Sequence, residues 1–136
     1  MATKVFINLP VKDLDKSIAF FTGLGFIFNP QFTDEKAGCM VISDSIFAML
    51  LTEPYFQTYT KKAVSDAKTS TEVLIALDAA SRDEVQQTVA KAQKLGAAIY
   101  NDPQDHGWMY VHSFADLDGH QWEFMYMDQA QLPNQE

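Results

Sequence analysis

The residue whose type and position most clearly suggest chemistry is Glu123, a lone carboxylate in the aromatic and thioether-rich segment QWEFMYM. In a strand, side chains alternate between the two faces, so Gln121, Glu123 and Met125 are predicted to share one face. A carboxylate buried there without a partner costs several kcal/mol, so it needs a cation, a hydrogen-bond donor or a proton. The segment therefore predicts a functional carboxylate, unless Glu123 only pairs with Asn8 or with a backbone donor.

Asn8 and His112 are the polar side chains that could accompany Glu123. Asn8 lies in the strand-like run VFINLPV. Its side-chain amide either orients a ligand or forms hydrogen bonds within the core. His112 and Glu123 are predicted to lie on the two strands of one hairpin. They form either a pair that binds a metal or transfers a proton, or a hydrogen-bonded pair with a structural role. The hairpin register decides which face His112 takes, since a slip of one residue reverses it. His106 and His120 fall in or beside turns, where an exposed histidine is ordinary.

The elements that must position these residues occur twice along the chain. Each half begins with a strand and a helix, followed by a similar phrase, LGFIFNP or LGAAIYNDP, and then by two more strand-like runs. Asp13 and the capping-box pair Ser81 and Glu84 predict the helix starts, and Asp116 is predicted to bond the backbone of its own turn. The pattern predicts one α+β domain of two βαβββ modules, forming a curved, half-open mixed sheet around a concave pocket with the helices outside. Its expected parts are module 1 (4–52), a linker or lid (53–70), module 2 (71–128) and a tail (129–136).

Composition narrows the classes of partner. The chain has 136 residues, a formal net charge of −8 and no dense cluster of basic residues, which argues against nucleic acid and anionic membranes as partners. The start MATKVFINLPV lacks the apolar region of a signal peptide, so a cytoplasmic location is expected. Cys39 is the single cysteine, and its apolar neighbours predict an inert buried thiol.

Two end motifs carry a resemblance to a known family. They are V-x-D-L-x-x-S, with LGF after the following helix (from Val11 to Phe26), and D-x-D-G-x-x-W-E (Asp116 to Glu123). With the internal duplication, these motifs resemble a bacterial glyoxalase-like branch of the vicinal oxygen chelate superfamily. That group includes glyoxalase I, fosfomycin and bleomycin resistance proteins and extradiol dioxygenases. The resemblance covers nearly the whole chain and implies a fold more specifically than a function.

The resemblance also implies where a metal would be bound. The family's ligand positions correspond to Phe6, Leu50, Glu72 and Glu123, and an aromatic ring and an aliphatic chain cannot ligate a divalent cation. We therefore expect no metal cofactor. The alternative is a reorganised Ni, Zn, Mn or Fe site that uses Glu72 and Glu123.

Two functions remain open, and whether the chain is an enzyme stays open with them. The first is the binding of a small molecule in a pocket lined by Phe6, Asn8, Leu50, Glu72, Tyr110 or His112, Gln121 and Glu123. The second is a divalent-metal-dependent lyase, similar to lactoylglutathione lyase, or a ring-cleaving dioxygenase, in which Glu123 ligates the metal or moves a proton. The resemblance and the unpaired edges of a half-open sheet both predict a homodimer.

Overall fold

In a computed structural model, which describes residues 1–132, the chain divides into two compact units, Met1–Ser65 and Asp66–Glu136. Their boundary lies within the predicted linker, and the last four residues of the predicted tail lie outside the described residues. Among the described residues, no helix is long and apolar enough to cross a membrane.

Unit 1 has the predicted βαβββ order. Its elements are β1 (Val5–Val11), α1 (Leu14–Leu24), β2 (Ile27–Phe28), β3 (Ala37–Val41) and β4 (Ile46–Thr52), followed by the short helix α2 (Glu53–Gln57). The Asp13 carboxylate caps α1 by accepting the Lys16 N–H at 3.1 Å, and Gly25, at φ 108°, ends the helix in the left-handed conformation. The strand order is β1-β4-β3-β2, in which only the β1–β4 pairing is parallel.

Unit 2 repeats the same plan. Its elements are β5 (Leu74–Asp78), α3 (Arg82–Lys94), β6 (Gln104–Asp105), β7 (Met109–Ala115) and β8 (Gln121–Met127), and the strand order is β5-β8-β7-β6. Ser81 caps α3, because its Oγ accepts the Glu84 N–H at 3.0 Å, but the Glu84 carboxylate accepts the Ala80 N–H at 2.6 Å and not the Ser81 N–H of a full capping box. The predicted α+β class and the two βαβββ modules are thus confirmed.

The phrase after each helix forms less strand than the pattern suggests. In unit 1 only Ile27 and Phe28 pair with a neighbouring strand. In unit 2 the phrase at 95–103 makes one isolated bridge, Ala98 to Ala115, and the edge strand β6 follows it. Pro103 cannot donate to a ladder and helps to interrupt pairing before β6.

Each sheet has one face that packs on its own helix, here called the helix face, and an opposite face, here called the distal face. In unit 2, Val85 and Val89 of α3 are buried, as are Phe114 of β7 and Trp122 of β8, whose exposed fractions are both 0%. This apolar layer is the core of the unit and fixes which residues of β7 and β8 point to the distal face.

Candidate functional site

The face of each β7 side chain follows from contacts with α3. The Arg82 guanidinium lies 5.4 Å from the Tyr110 ring centroid, and the Gln86 side chain donates to the Tyr110 hydroxyl at 3.4 Å. Tyr110 therefore points to the helix face. Because β7 alternates, His112 and Phe114 take the same face, while Val111 and Ser113 point to the distal face.

The register of the β7–β8 hairpin separates His112 from Glu123. Ser113 lies opposite Glu123, and His112 lies opposite Phe124, whose side chain is 6% exposed. Glu123 is consequently on the distal face and His112 on the helix face, where its Nε2 donates to the Asn101 carbonyl at 3.1 Å. The structure does not bring His112 or Tyr110 to the face that holds Glu123.

The distal face of unit 2 surrounds Glu123 with uncharged side chains. Across the sheet its register neighbours are Ala76 of β5 and Ser113 of β7, and along β8 its same-face neighbours are Gln121 and Met125. The Ser113 hydroxyl already donates to Asn101 Oδ1 at 3.0 Å. Glu123 is half-buried, and within residues 1–132 its carboxylate takes part in no hydrogen bond or ion pair.

A groove of about 360 Å³ lies where β7 ends and β8 begins. Gln121 and Ala115, both distal-face residues, form part of its wall, and Gln121 Oε1 accepts the Thr71 hydroxyl at 2.6 Å. The rest of the lining is the segment 67–71 together with Ala98, Tyr100, Asp116 and Gly119. Its volume falls in the range typical of small-molecule sites. The groove therefore adjoins the distal face at Ala115 and Gln121, the latter two residues along β8 from Glu123, which is not part of its lining.

Of these lining residues, sequence reasoning predicted only Gln121. Residues 67–70 show no hydrophobic period and lie within the predicted linker, Thr71 begins predicted module 2, and no motif identifies Tyr100 as a neighbour of β8. Glu72, the other predicted carboxylate, is exposed and lies in the turn before β5.

In unit 1, Phe6 and Asn8 share the distal face. Phe6 stacks on Phe47 of β4 with ring centroids 4.8 Å apart and is 54% exposed, and Asn8 is exposed beside Met49. Leu50 has the opposite orientation. It pairs in register with Leu9 and with Gly38, and a Cβ on Gly38 would meet the Ile18 side chain of α1 at 3.2 Å.

Leu50 is therefore a core residue of the helix face, with an exposed fraction of 0%. Met49 takes the distal-face position next to Asn8, and Cys39 of β3 lies opposite Met49 in register. Burial raises the pKa of the Cys39 thiol, which keeps it in the less reactive protonated form.

The side chains of the distal faces do not fit the four-ligand metal site of the resemblance. In unit 1 these positions hold Phe6, Asn8 and Met49, none of which supplies a carboxylate or an imidazole. In unit 2 this face holds two carboxylates, Glu123 and the exposed Asp78, and His112 lies on the helix face. Within the described part of either unit, no group of three or more His, Cys, Asp or Glu side chains is placed to hold a metal.

The D-x-D-G turn contains a second buried carboxylate with a structural role. Asp116 Oδ1 accepts the N–H groups of Asp118 and His120, and its Oδ2 accepts the Trp122 indole N–H, each at 3.0 Å. Burial raises the pKa of the Asp116 carboxyl, while His120 and the Trp122 hydrogen bond act in the opposite direction. Asp116 thus connects the turn to the core and confirms the predicted turn hydrogen bonding.

Comparison with known proteins gives a consistent result. The sequence model of the Glyoxalase/Bleomycin resistance protein/Dioxygenase superfamily matches residues 5–124. No curated protein sequence shows significant similarity to the chain. Among solved structures, a hypothetical protein from S. aureus is 31% identical, with a TM-score of 0.79, over 93% of this chain and 95% of the other.

Two further solved structures share the fold at lower identity. A glyoxalase-related enzyme from Fulvimarina pelagi is 19% identical, with a TM-score of 0.78, over 93% of this chain and 88% of the other. A genomically encoded fosfomycin resistance protein from Listeria monocytogenes is 20% identical, with a TM-score of 0.69, over 99% and 96% of the two chains. At 19% and 20% identity, these two similarities show a shared fold and nothing more.

Proposed function

Because this chain belongs to the Glyoxalase/Bleomycin resistance protein/Dioxygenase superfamily, we propose that it binds a small organic molecule on the distal face of unit 2, without a resident metal. The observation that carries the proposal is the groove of about 360 Å³, which adjoins the face on which Glu123 lies. Glu123 is the residue expected to recognise the ligand, and Gln121 offers an amide next to it. Phe6 and Asn8, which are also predicted pocket residues, lie on the distal face of unit 1.

The neighbours of Glu123 indicate whether it binds a ligand or transfers a proton. The half-buried carboxylate of Glu123 has Ala76, Ser113 and Met125 as same-face neighbours, and among the described residues it has no hydrogen-bond or ion-pair partner. A ligand that supplies a donor would satisfy it, and hydrogen bonds to charged groups contribute about 1.5–3 kcal/mol each. Glu123 is therefore suited to ligand binding, and the second carboxylate that the register places on this face, Asp78, is exposed at the end of β5.

The second candidate function is a divalent-metal-dependent lyase or dioxygenase. What favours it is the carboxylate of Glu123, which has no partner among the described residues, together with Glu72, which precedes β5, the strand next to β8. What opposes it is the chemistry of the remaining distal-face side chains, because apart from Asp78 they are amides, hydroxyls, thioethers and hydrocarbons.

The Glu123→Gln variant separates the two functions. If the site binds no metal, we expect the variant to be as stable as the wild type or up to about 1 kcal/mol more stable, because an amide removes the cost of a half-buried charge. The tag-free wild type should contain less than about 0.1 divalent metal ion per chain. Elemental analysis and urea unfolding measure the two quantities.

Glu35→Gln is the matched control, since it makes the same change of charge at an exposed turn of unit 1. It is expected to leave metal content and stability unchanged. If the wild type copurifies with one metal ion per chain, and only Glu123→Gln loses that ion and melts at a lower temperature, the metal-dependent function replaces the one proposed.

A further inference from the structure

The distal face of unit 2 carries negative charge without any neighbouring positive charge on its strands. Asp78 of β5 lies opposite Met125 in register, and Glu123 lies opposite Ala76, so both carboxylates belong to this face. The four strands contain no lysine or arginine. Arg82 binds Asp105 at 2.7 Å on the side of α3, and Lys68 lines the groove beyond Gln121. The field at Glu123 therefore favours a cation and repels an anion.

From Met125 to the end of β8, this face is apolar and polarizable. Met109 and Met127 lie opposite each other in register, and Val111 lies opposite Met125. These four side chains are half-buried. Methionine side chains are flexible and adapt to apolar ligands of varied shape. The surface next to the carboxylates is therefore suited to a hydrocarbon or aromatic body.

From this combination we propose that the ligand is an organic cation, a substituted ammonium ion that carries an apolar body. The ammonium group donates to the Glu123 carboxylate, and the apolar body covers the methionines. This inference rests on the proposed function and names the class of ligand. A neutral molecule of the same shape leaves the half-buried carboxylate without a donor, and an anion adds repulsion to that cost.

Three probes of equal shape and different charge test the inference. They are para-tert-butyl-benzylammonium, para-tert-butyl-benzyl alcohol and para-tert-butyl-benzoate, titrated by calorimetry at physiological salt into the wild type, Glu123→Gln and Glu35→Gln. In the wild type and in Glu35→Gln the ammonium compound is expected to bind about tenfold more tightly than the alcohol, and the benzoate least tightly. In Glu123→Gln the preference for the ammonium compound over the alcohol is expected to disappear.

Each result bears on the inference. If the wild type binds the alcohol or the benzoate as tightly as the ammonium compound, the inference that the ligand is a cation is wrong. The proposal that the protein binds a small molecule is then unaffected. A preference that persists in Glu123→Gln also overturns the inference, because the charge would then be recognised elsewhere. If none of the three probes binds and a wider set of small molecules also fails to bind, the inference and the proposed function both fail.

Discussion

Replacement of Asp116 by Ala is expected to lower the free energy of unfolding by about 4 kcal/mol. The substitution removes the acceptor for the N–H groups of Asp118 and His120 and for the Trp122 indole, and Asp116 is only 6% exposed. A lost acceptor for a buried donor costs about 1–3 kcal/mol, so the three bonds together produce a large effect. Urea unfolding of the variant and of the wild type measures the difference.

Asp34→Ala is the control for this prediction. Asp34 also accepts two backbone N–H bonds, from Lys36 at 2.8 Å and Ala37 at 3.0 Å, but it lies in an exposed turn. Water can replace those bonds, so a loss of about 1 kcal/mol is expected. Equal losses for the two variants would mean that burial of the Asp116 carboxylate does not determine its contribution.

Replacement of Gly119 by Ala is expected to cost about 3 kcal/mol for two separate reasons. Gly119 has φ +93°, a conformation that residues with a side chain rarely adopt. In addition, a Cβ there would lie 2.7 Å from the backbone N of Lys68 and 2.8 Å from the carbonyl carbon of Ala67. The segment 67–71 would have to move, and we expect the groove beside Gln121 to change with it.

Gly25→Ala isolates the conformational part of that cost. Gly25 has φ +108°, but apart from its chain neighbours and its own helix no described residue has an atom within 4 Å of the position of its Cβ. Thermal or urea unfolding is expected to give a loss of about 1 kcal/mol for Gly25→Ala, so the difference from Gly119→Ala measures the contact with the segment 67–71. If both variants lose the same stability, the contact between a Cβ at position 119 and the segment 67–71 does not contribute to the loss.

The fold could be predicted from the sequence because its signals are local and occur twice. The Asp13 cap, the Ser81 cap and the Asp116 turn each depend on residues a few positions apart, and all three have the predicted hydrogen bonds. The order of strands and helix in each unit then follows from alternation and helical periodicity. The short edge strands were harder to predict because tertiary contacts, and not propensity, determine them.

The candidate site could be predicted only in part, because its composition depends on strand register. The alternation of side chains along a strand predicts that Gln121, Glu123 and Met125 share one face. Only the observed pairing of Ser113 with Glu123 shows that His112 lies on the opposite face. A shift of one residue likewise separates Leu50 from Met49 in β4. The groove brings together β8 and the segment 67–71, and no local pattern in the sequence encodes that contact.

The central claim is that a small organic molecule binds on the distal face of unit 2, and methionine methyl resonances test it most directly. Met109, Met125 and Met127 have side chains on that face, whereas Met40 is a fully buried core residue of unit 1, with an exposed fraction of 0%. The measurement is a titration of methyl-labelled protein with the small molecule that most raises its melting temperature. The account predicts saturable shifts of the Met109, Met125 and Met127 methyl groups and an unchanged Met40 methyl. Binding that shifts the Met40 methyl, or that leaves those three unchanged, would contradict it.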